Sequence, residues 1–521
     1  MNALYITCFA DPWIKVAQAL REKHGLQPVF WIGYEDDDSV TQVPESFPDC
    51  IYQDYYDAWK GIFPAQIAAH ANESGISIDF VKRYASFELQ AIKMMDRMDP
   101  DQYSFNFMER QRHYRNMVRL CSACLESMKV DIVICDWIPH RLFDYVFYLL
   151  CQFHNIKFVF LGNTQFPGRV LSLNDLSAIS DRIREDYNDI LRAGMDAGAI
   201  KAKLPDDMTV SYDRVQRNTT GVTTNNVQLH MKKNRGSSGF FPLALKFIKD
   251  ASHDYRSRYF GSEGYLLNGI PTYLKQRNNS IEMSRYGIMR YSLLKLKTNR
   301  YKNRLSKYYK ALTVEPDFGA KYVFYALHYQ PEMTTSPSGD IFVDQRLCIE
   351  VLHRHLPPDC LIYVKEHPVM FHSHMEGHTS RAKYFYDDLL SLPRVRLLPS
   401  DANSAALIKN SLAVATIRGT IGWEAMALGK PVIAFGLIWY EKYDGVLKVT
   451  NEESAAKMKD FIAGFKFDEN KLFAYLYALS INSSLAYPYR GLKEKMNVSE
   501  ADCVERLVNL VQGMIDPGHS R

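Results

Sequence analysis

Thr416-Ile417-Arg418-Gly419-Thr420-Ile421-Gly422-Trp423-Glu424-Ala425, closed by Gly429-Lys430-Pro431, combines the residue types that hold a phosphorylated ligand. It reads as a strand that ends in a small Gly/Thr loop and opens a helix, whose free N–H groups and positive end favour phosphate. Thr420 can add a hydroxyl hydrogen bond, and Glu424, one turn in, can accept from ribose hydroxyls. The plainer alternative is a turn that the glycines merely permit, with Glu424 as a first-turn dipole partner. Lys365-Glu366-His367-Pro368 closes an earlier strand of the same half. His and Lys at a strand's carboxyl end can neutralise a mono- or diphosphate leaving group by charge or hydrogen bond. Pro368 fixes the turn that aims His367.

Two further segments supply carboxylates. Leu327-His328-Tyr329-Gln330-Pro331-Glu332-Met333-Thr334-Thr335-Ser336-Pro337 crowds polar groups into one loop. There Glu332 suits a general base or a hydroxyl contact, and Gln330, Thr334 and Thr335 offer neutral contacts. A turn network around Pro331 is the plainer reading. In the first half, Cys135-Asp136-Trp137-Ile138-Pro139-His140 follows a buried strand, and Asp144 lies in the next helix. Asp136 can serve as a nucleophile that forms a glycosyl ester or as a base for an acceptor hydroxyl, with Asp144 as the alternative carboxylate. A simple turn or capping aspartate is the competing role. Asn163, Thr164 and Arg169 follow the next strand and suit an acidic sugar, Arg169 pairing its carboxylate bidentately.

These segments need strands and helices to place them, and the hydrophobic pattern supplies both. Ala3 to Phe9 and Pro28 to Tyr34 read as buried strands around a helix from Pro12 to Lys23. A helix to Met128, a strand Asp131 to Cys135, a helix from Arg141 to His154 and a strand Lys157 to Leu161 repeat the theme. A second alternating run holds strands at 322–327, 361–365, 394–398, 412–416 and 431–435, with helices over 344–355, 402–410 and from Thr420. Such alternation predicts parallel, doubly wound sheets. Residues 175–315 are polar, contain NTTGVTTNN and RGSSG, and read as helices joined by loops.

The expected fold class is therefore α/β and GT-B-like, with two Rossmann-like parallel-sheet domains facing a cleft. The boundaries fall at 1–175 for the N-terminal, acceptor-side domain and 176–315 for a helical segment of the N-terminal lobe. A nucleotide-sugar-binding domain follows at 316–450, then C-terminal helices packing back on the lobes at 451–521. Ligands of such folds lie at the carboxyl ends of the strands.

The chain has 521 residues, 47% hydrophobic and 23% charged, an ordinary globular composition with ample core. A formal net charge of +4 gives no argument for nucleic acid. The start, MNALYITCFADPW, does not read as a secretory signal, no apolar run reaches about 18 residues, and the nine cysteines are odd in number and scattered. A cytoplasmic protein is expected, with possible contact at the inner face of a bacterial cytoplasmic membrane. Arg290 to Lys310 carries eight basic and no acidic residues, which suits a solvated helix or an anionic membrane or glycan surface. Cys121-x-x-Cys124 reads as buried helix thiols. His372, His374 and His378 lack an acidic or cysteine partner, so no metal is expected there. Glu35-Asp36-Asp37-Asp38 reads as a solvated loop.

The motifs ALHYQPEMTTSP, YVKEHP and TIRGTIGWEAMALGKPVIAFGLIWY resemble the bacterial capsule polysaccharide biosynthesis family, which includes β-Kdo transferases of capsule lipid-linker assembly. CDWIPHRLFDYVFYLL and FLGNTQFPGR add a weaker resemblance. The resemblance implies a metal-independent GT-B glycosyltransferase without cofactor. Its donor would be a CMP-activated 3-deoxy-ulosonic acid such as Kdo, and its acceptor a glycan or a lipid-linked saccharide. By position, His367 and Lys365 would meet the donor phosphate, Thr420 and Gly422 would line it with Gly419, and Glu424 would hold ribose or cytidine. Arg418 stands where a small polar residue is expected and suits the donor carboxylate instead. A carboxylate of the N-terminal domain, here Asp136, would carry catalysis. The Lys-x-His-Pro motif also resembles teichoic-acid polyol-phosphate transferases, whose serine-rich loop is replaced here by GTIGWEA. An NDP-hexose transferase and a non-catalytic nucleotide- or glycan-binding subunit of a capsule assembly complex are the remaining alternatives.

Overall fold

A computed structural model describes residues 1–34, 39–99, 102–217, 265–267, 270–277, 280–284, 288–373, 375–488, 493 and 496–515. The acidic run at 35–38, the NTTGVTTNN and RGSSG segments and His374 lie outside the described residues.

The first sheet uses β1 (Asn2–Ile6), β2 (Gln27–Gly33), β3 (Ile51–Asp54), β4 (Ile132–Cys135), β5 (Lys157–Asn163) and β6 (Arg169–Leu173). Its order is β6-β5-β4-β1-β2-β3, with β1 to β5 parallel and β6 antiparallel to β5. Leu4, Tyr5 and Ile6 are fully buried, as apolar runs must be in a parallel sheet covered on both faces. The strand ends at Ile6 rather than running to Phe9, because Thr7 takes a left-handed φ of 56° that turns the chain out of the sheet.

The second sheet uses β10 (Tyr322–Ala326), β11 (Leu361–Lys365), β12 (Val395–Leu398), β13 (Ala413–Thr416), β14 (Val432–Ala434) and β15 (Val446–Lys448), after three short strands described next. All its pairs are parallel and the order is β12-β11-β10-β13-β14-β15. Both sheets thus reverse direction of strand order beside their first strand, at β1/β4 and β10/β13. The carboxyl edge at such a reversal leaves a crevice between loops that turn opposite ways.

The segment read as mainly helical contains a three-stranded antiparallel sheet, β7 (Tyr265–Leu267), β8 (Ile270–Arg277) and β9 (Ser280–Ser284). Short alternation such as Ser280-Ile281-Glu282-Met283-Ser284 carries this signal, which the surrounding polar composition obscured. Nor does that segment belong to the N-terminal lobe alone. Its helix Arg182–Arg192 packs on the helix Glu469–Ile481, and Arg184 pairs with Asp444 at 2.7 Å. The helix Ile288–Leu312 buries Leu305 and Tyr309 among core residues of the second sheet's domain.

That helix also corrects the picture of a uniformly solvated basic segment. Lys302 is 2% exposed, and its ammonium donates to the carbonyls of His372, Ser373 and Met375 at 3.0, 3.0 and 2.7 Å. Lys297, Arg300, Arg304, Lys307 and Lys310 remain exposed. Their spacing of three or four residues gathers them on one side of the helix.

After residue 451 the chain is mostly helical, yet it returns to the first sheet. There β16 (Ser484–Leu485) adds an antiparallel edge to β6, and the helix Glu500–Ile515 packs on the helix Ala10–His24. Trp13 Nε1 donates to the Pro488 carbonyl at 2.8 Å. All nine cysteines are buried and unpaired. Burial raises the Cys121 and Cys124 thiols, as expected of helix cysteines in a core.

Candidate functional site

At the β10/β13 reversal the chain builds a cradle from backbone and two histidines. Thr416, at the end of β13, accepts the Gly419 N–H on Oγ1 at 2.9 Å, closing the turn before the helix Thr420–Ala427. The Arg418 N–H donates to His328 Nε2 at 3.2 Å, and Thr416 Oγ1 lies 3.3 Å from the same nitrogen. A side chain at residue 419 would stand 2.7 Å from Thr416 Oγ1, so this approach requires glycine. His328 was not singled out from the sequence. Its position just past β10 matches that of His367 past β11, and this rule of strand ends would have found it.

His367 accepts the Val369 N–H on Nδ1 at 3.3 Å, so its neutral tautomer carries the proton on Nε2 as a donor. Burial holds His367 down to about 4 and His328 down to about 3. Both are therefore uncharged at neutral pH, and His367 can act by hydrogen bond rather than by charge.

Glu366, between Lys365 and His367, fixes this edge. It is fully buried, accepts from Arg381 Nε at 2.9 Å and from Tyr386 Oη at 2.8 Å, and takes the His367 N–H at 2.7 Å. Lys365 is drawn down to about 8 by burial, against the charges of Glu424 and Asp401. Its ammonium donates to the Ala402 carbonyl at 3.0 Å and to Ser404 Oγ, which leaves one N–H direction for a ligand.

Several expected contacts resolve differently. Gln330 is buried with both ends of its amide engaged: Nε2 donates to Val343 O at 2.6 Å, and Oε1 accepts from Gln345 at 2.7 Å and Arg381 at 2.8 Å. It supports the loop: its oxygen is taken by Gln345 and Arg381 and one Nε2–H by Val343, which leaves a single N–H for a ligand. Gly422 admits Tyr440, whose hydroxyl lies 1.8 Å from where a Cβ would stand and donates to Gly419 O at 2.9 Å. Gly422 is thus a packing glycine. Thr420 and Gly419 are partly exposed at the helix start, while Glu424 is 6% exposed and near enough to Lys365 to act on its charge.

In the other lobe, Asp136 sits at the β1/β4 reversal and is 4% exposed. Thr7 Oγ1, turned inward by its left-handed backbone, donates to the Asp136 carboxylate. Burial raises Asp136 to about 7, against the charge of Arg141 and the Thr7 bond. It can exchange a proton near neutrality. Asp144 instead caps its own helix, accepting from the backbone of Arg141 at 2.7 Å and His140 at 3.1 Å, and is fully buried. Arg169 is 4% exposed and holds Asp207 with Nε at 2.7 Å and Nη2 at 2.8 Å, so its bidentate partner is internal rather than a sugar acid. Thr164 is likewise turned inward, its hydroxyl donating to Arg169 O at 3.1 Å.

The two edges meet. Trp137 Nε1 lies 3.2 Å from Met333 Sδ, and Arg418 Nη2 donates to Asn163 Oδ1 at 3.4 Å. Phe166 inserts its ring 5.2 Å from both Trp423 and Trp439. Glu332 is exposed on the facing edge, takes the Thr334 hydroxyl at 3.0 Å, and is raised by its crowded surroundings against the pull of Arg97 and Arg418. The Thr335 hydroxyl donates to Glu332 O at 3.0 Å, so the expected turn network is present beside the exposed carboxylate. Among the described residues no cluster of three or more His, Cys, Asp or Glu is arranged to hold a metal ion, and no helix is long and apolar enough to cross a membrane.

Comparison with known proteins adds a family to this geometry. Residues 254–465 match the sequence model of the family described as capsule polysaccharide biosynthesis protein. The capsule polysaccharide modification protein LipA of Neisseria meningitidis is 34% identical over 83 residues, 16% of this chain and 11% of LipA. The chain thus matches about a tenth of that relative's length. Among solved structures, the β-Kdo 2,7 transferase KpsC of Thermosulfurimonas dismutans aligns at 11% identity over 75% of this chain and 90% of that one, with a TM-score of 0.29. UDP-GlcNAc 2-epimerase of Methanocaldococcus jannaschii aligns at 11% identity over 98% and 99%, with a TM-score of 0.22. The stretch that builds the second sheet and carries His328, Lys365, His367 and the Arg418–Glu424 turn lies within the residues that match the capsule polysaccharide biosynthesis family model.

Proposed function

We propose that the chain is a GT-B glycosyltransferase of surface polysaccharide assembly. It moves a sugar from a nucleotide-activated donor to a glycan or lipid-linked acceptor. The observation that carries this reading is the cradle at the β10/β13 reversal, where a helix start and the neutral His367 share the carboxyl edge of the second sheet, with Asp136 at the corresponding β1/β4 reversal of the first. The donor phosphate rests on the N–H group and hydroxyl of Thr420 at the helix start, with Lys365 supplying charge. His367 Nε2–H stabilises the departing phosphate. Glu424 serves the nucleoside hydroxyls. Asp136, ionised in part near neutrality, attacks the anomeric carbon or takes the acceptor proton, and Glu332 is the carboxylate on the opposing edge.

The donor we favour is a CMP-linked 3-deoxy-ulosonic acid such as Kdo. The family match over 254–465 and the Arg418 guanidinium, which donates to the neutral Ser338 and Asn163 side chains, support it. The exposed stripe Lys297, Arg300, Arg304, Lys307 and Lys310 suits attachment to an anionic membrane face at the cytoplasmic side. Thermal-shift titration with CMP, UDP, GDP and CDP tests the donor class. At a hundredfold excess over Kd, the matching nucleotide should add about 2.7 kcal/mol. Stabilisation by UDP alone would overturn the CMP reading. Stabilisation by none would favour a non-catalytic subunit.

A further inference from the structure

We propose that Thr7 is a positioning residue for Asp136: its hydroxyl holds Oδ1 in either protonation state and leaves Oδ2 as the oxygen that reacts. This rests on the reading of Asp136 as the catalytic carboxylate of the first lobe. The signal is a backbone conformation. Among the described residues five non-glycines take a positive φ: Thr7, Gln102, Lys129, Asn155 and Asp340. The last four are exposed, as turn residues are, whereas Thr7 is fully buried and is the one β-branched residue of the set. The left-handed region is least favourable for a branched side chain, so a buried threonine persists there only where its surroundings fix it.

The neighbouring strands do so. The Thr7 N–H donates to Ile32 O of β2 at 2.8 Å, and the Asp136 N–H, just past β4, donates to Ile6 O at 3.2 Å. Trp31 Nε1 holds the next carbonyl, Cys8 O, at 2.9 Å. The chain is thus clamped on each side of Thr7 at the β1/β4 reversal. Branching at Cβ restricts χ1 as well, so the hydroxyl is held toward Asp136 Oδ1. Glycine or asparagine would ease this backbone, yet neither carries a hydroxyl.

The hydroxyl has one proton and two acceptors, Asp136 Oδ1 and Ile6 O, the latter at 2.8 Å. While Asp136 is ionised, that proton goes to the carboxylate, the stronger acceptor. When Oδ1 is protonated, it donates to Thr7 Oγ1, and the threonine's own proton turns to Ile6 O. No heavy atom has to move. Oδ1 is engaged either way, and among the described residues no other residue is hydrogen-bonded to Oδ2. Cys8, after β1, and Cys135, whose Sγ lies 3.8 Å from the Thr7 hydroxyl, stay neutral thiols because burial raises both. The charges that act on Asp136 are Arg141 and Asp144 at the start of the helix Leu142–His154. Among the described residues Thr7 is the only side chain hydrogen-bonded to the Asp136 carboxyl.

The test compares Thr7→Val, Thr7→Gly and Thr7→Ser in the intact protein. The first readout is the titration of Asp136, taken as the pH dependence of the urea midpoint relative to the same protein carrying Asp136→Asn. Thr7→Val and Thr7→Gly should move that titration up by about one pH unit, because a lost hydrogen bond to the carboxylate favours its protonated form. Thr7→Ser should leave it close to wild type. The second readout is release of CMP from CMP-Kdo. Thr7→Val and Thr7→Gly should lower kcat at least about tenfold with KM within about twofold, and Thr7→Ser should keep most of kcat. Thr7→Gly suits the backbone at this position, so its slow turnover would mark the hydroxyl rather than the turn. An unmoved titration in Thr7→Val and Thr7→Gly overturns the proposal, as does a kcat that Thr7→Val keeps or that Thr7→Ser loses equally. Normal turnover in Asp136→Asn overturns the catalytic reading and this proposal with it. If the wild type releases no CMP, the CMP-Kdo donor falls, and the titration alone upholds or overturns the role of Thr7.

Discussion

Asp136 holds its proton to about pH 7 because burial penalises the carboxylate more than Arg141 and Thr7 favour it. An unfolded aspartate releases its proton near 3.9. The folded chain therefore binds that proton more tightly. The resulting stability is full below about pH 3.9 and is lost as pH rises through about 7. Asp136→Asn should remove this slope, seen as a difference between the variant's and the wild type's urea midpoints across pH 4 to 8. Transfer should be abolished in Asp136→Ala with nucleotide affinity intact, and a turnover near wild type would remove Asp136 from the mechanism. His367→Ala takes away the one neutral donor whose tautomer is set by Val369. It should cut kcat by about a hundredfold, the usual cost of one preorganised donor.

Elements impose the next level of constraint. The helix Ile288–Leu312 displays two kinds of lysine that a sequence cannot tell apart. Lys302 ties three carbonyls of the loop after β11, whereas Arg304 and Lys307 face solvent. Lys302→Met should lower stability by about 1–3 kcal/mol by leaving buried carbonyls unpaired, read from denaturant unfolding. Arg304→Glu with Lys307→Glu should leave stability within about 0.5 kcal/mol and weaken sedimentation with anionic vesicles. Unchanged sedimentation would assign the stripe to solvent. The helix Thr420–Ala427 offers a second case. Gly422→Ala collides with the Tyr440 hydroxyl, so it should destabilise by more than the small propensity gain of alanine, and Tyr440→Phe should relieve part of the loss.

At the scale of the whole molecule, the chain's end completes its beginning. Ala486, Tyr487, Leu507, Val508 and Val511 share one core with Trp13, Val16, Leu20 and Trp31. Removing residues 483–521 deletes β16 and uncovers that face. The truncated chain should aggregate or lose roughly 10 °C or more in Tm, since each buried apolar side chain is worth about 1.5–3 kcal/mol. Contact between the lobes is also extensive: Phe166 wedges against Trp423 and Trp439, and Ser336 Oγ donates to Gln90 at 3.2 Å.

The α/β alternation, both sets of parallel strands and the His367 and Gly419–Thr420 strand ends were legible in the residues themselves, because period and strand-end chemistry are local. Burial is not local. Nothing in the residue type separates Arg169, spent on Asp207, from Arg97, which has no carboxylate partner among the described residues. Nor does it separate Gln330, whose buried amide oxygen is held by Gln345 and Arg381, from Glu332, which is exposed. Both differences arise from contacts many residues apart. Sequence determined which groups can meet a phosphate; tertiary structure decided which of them remain free to do so, since a polar group's partners are set by whatever the fold brings within hydrogen-bond reach.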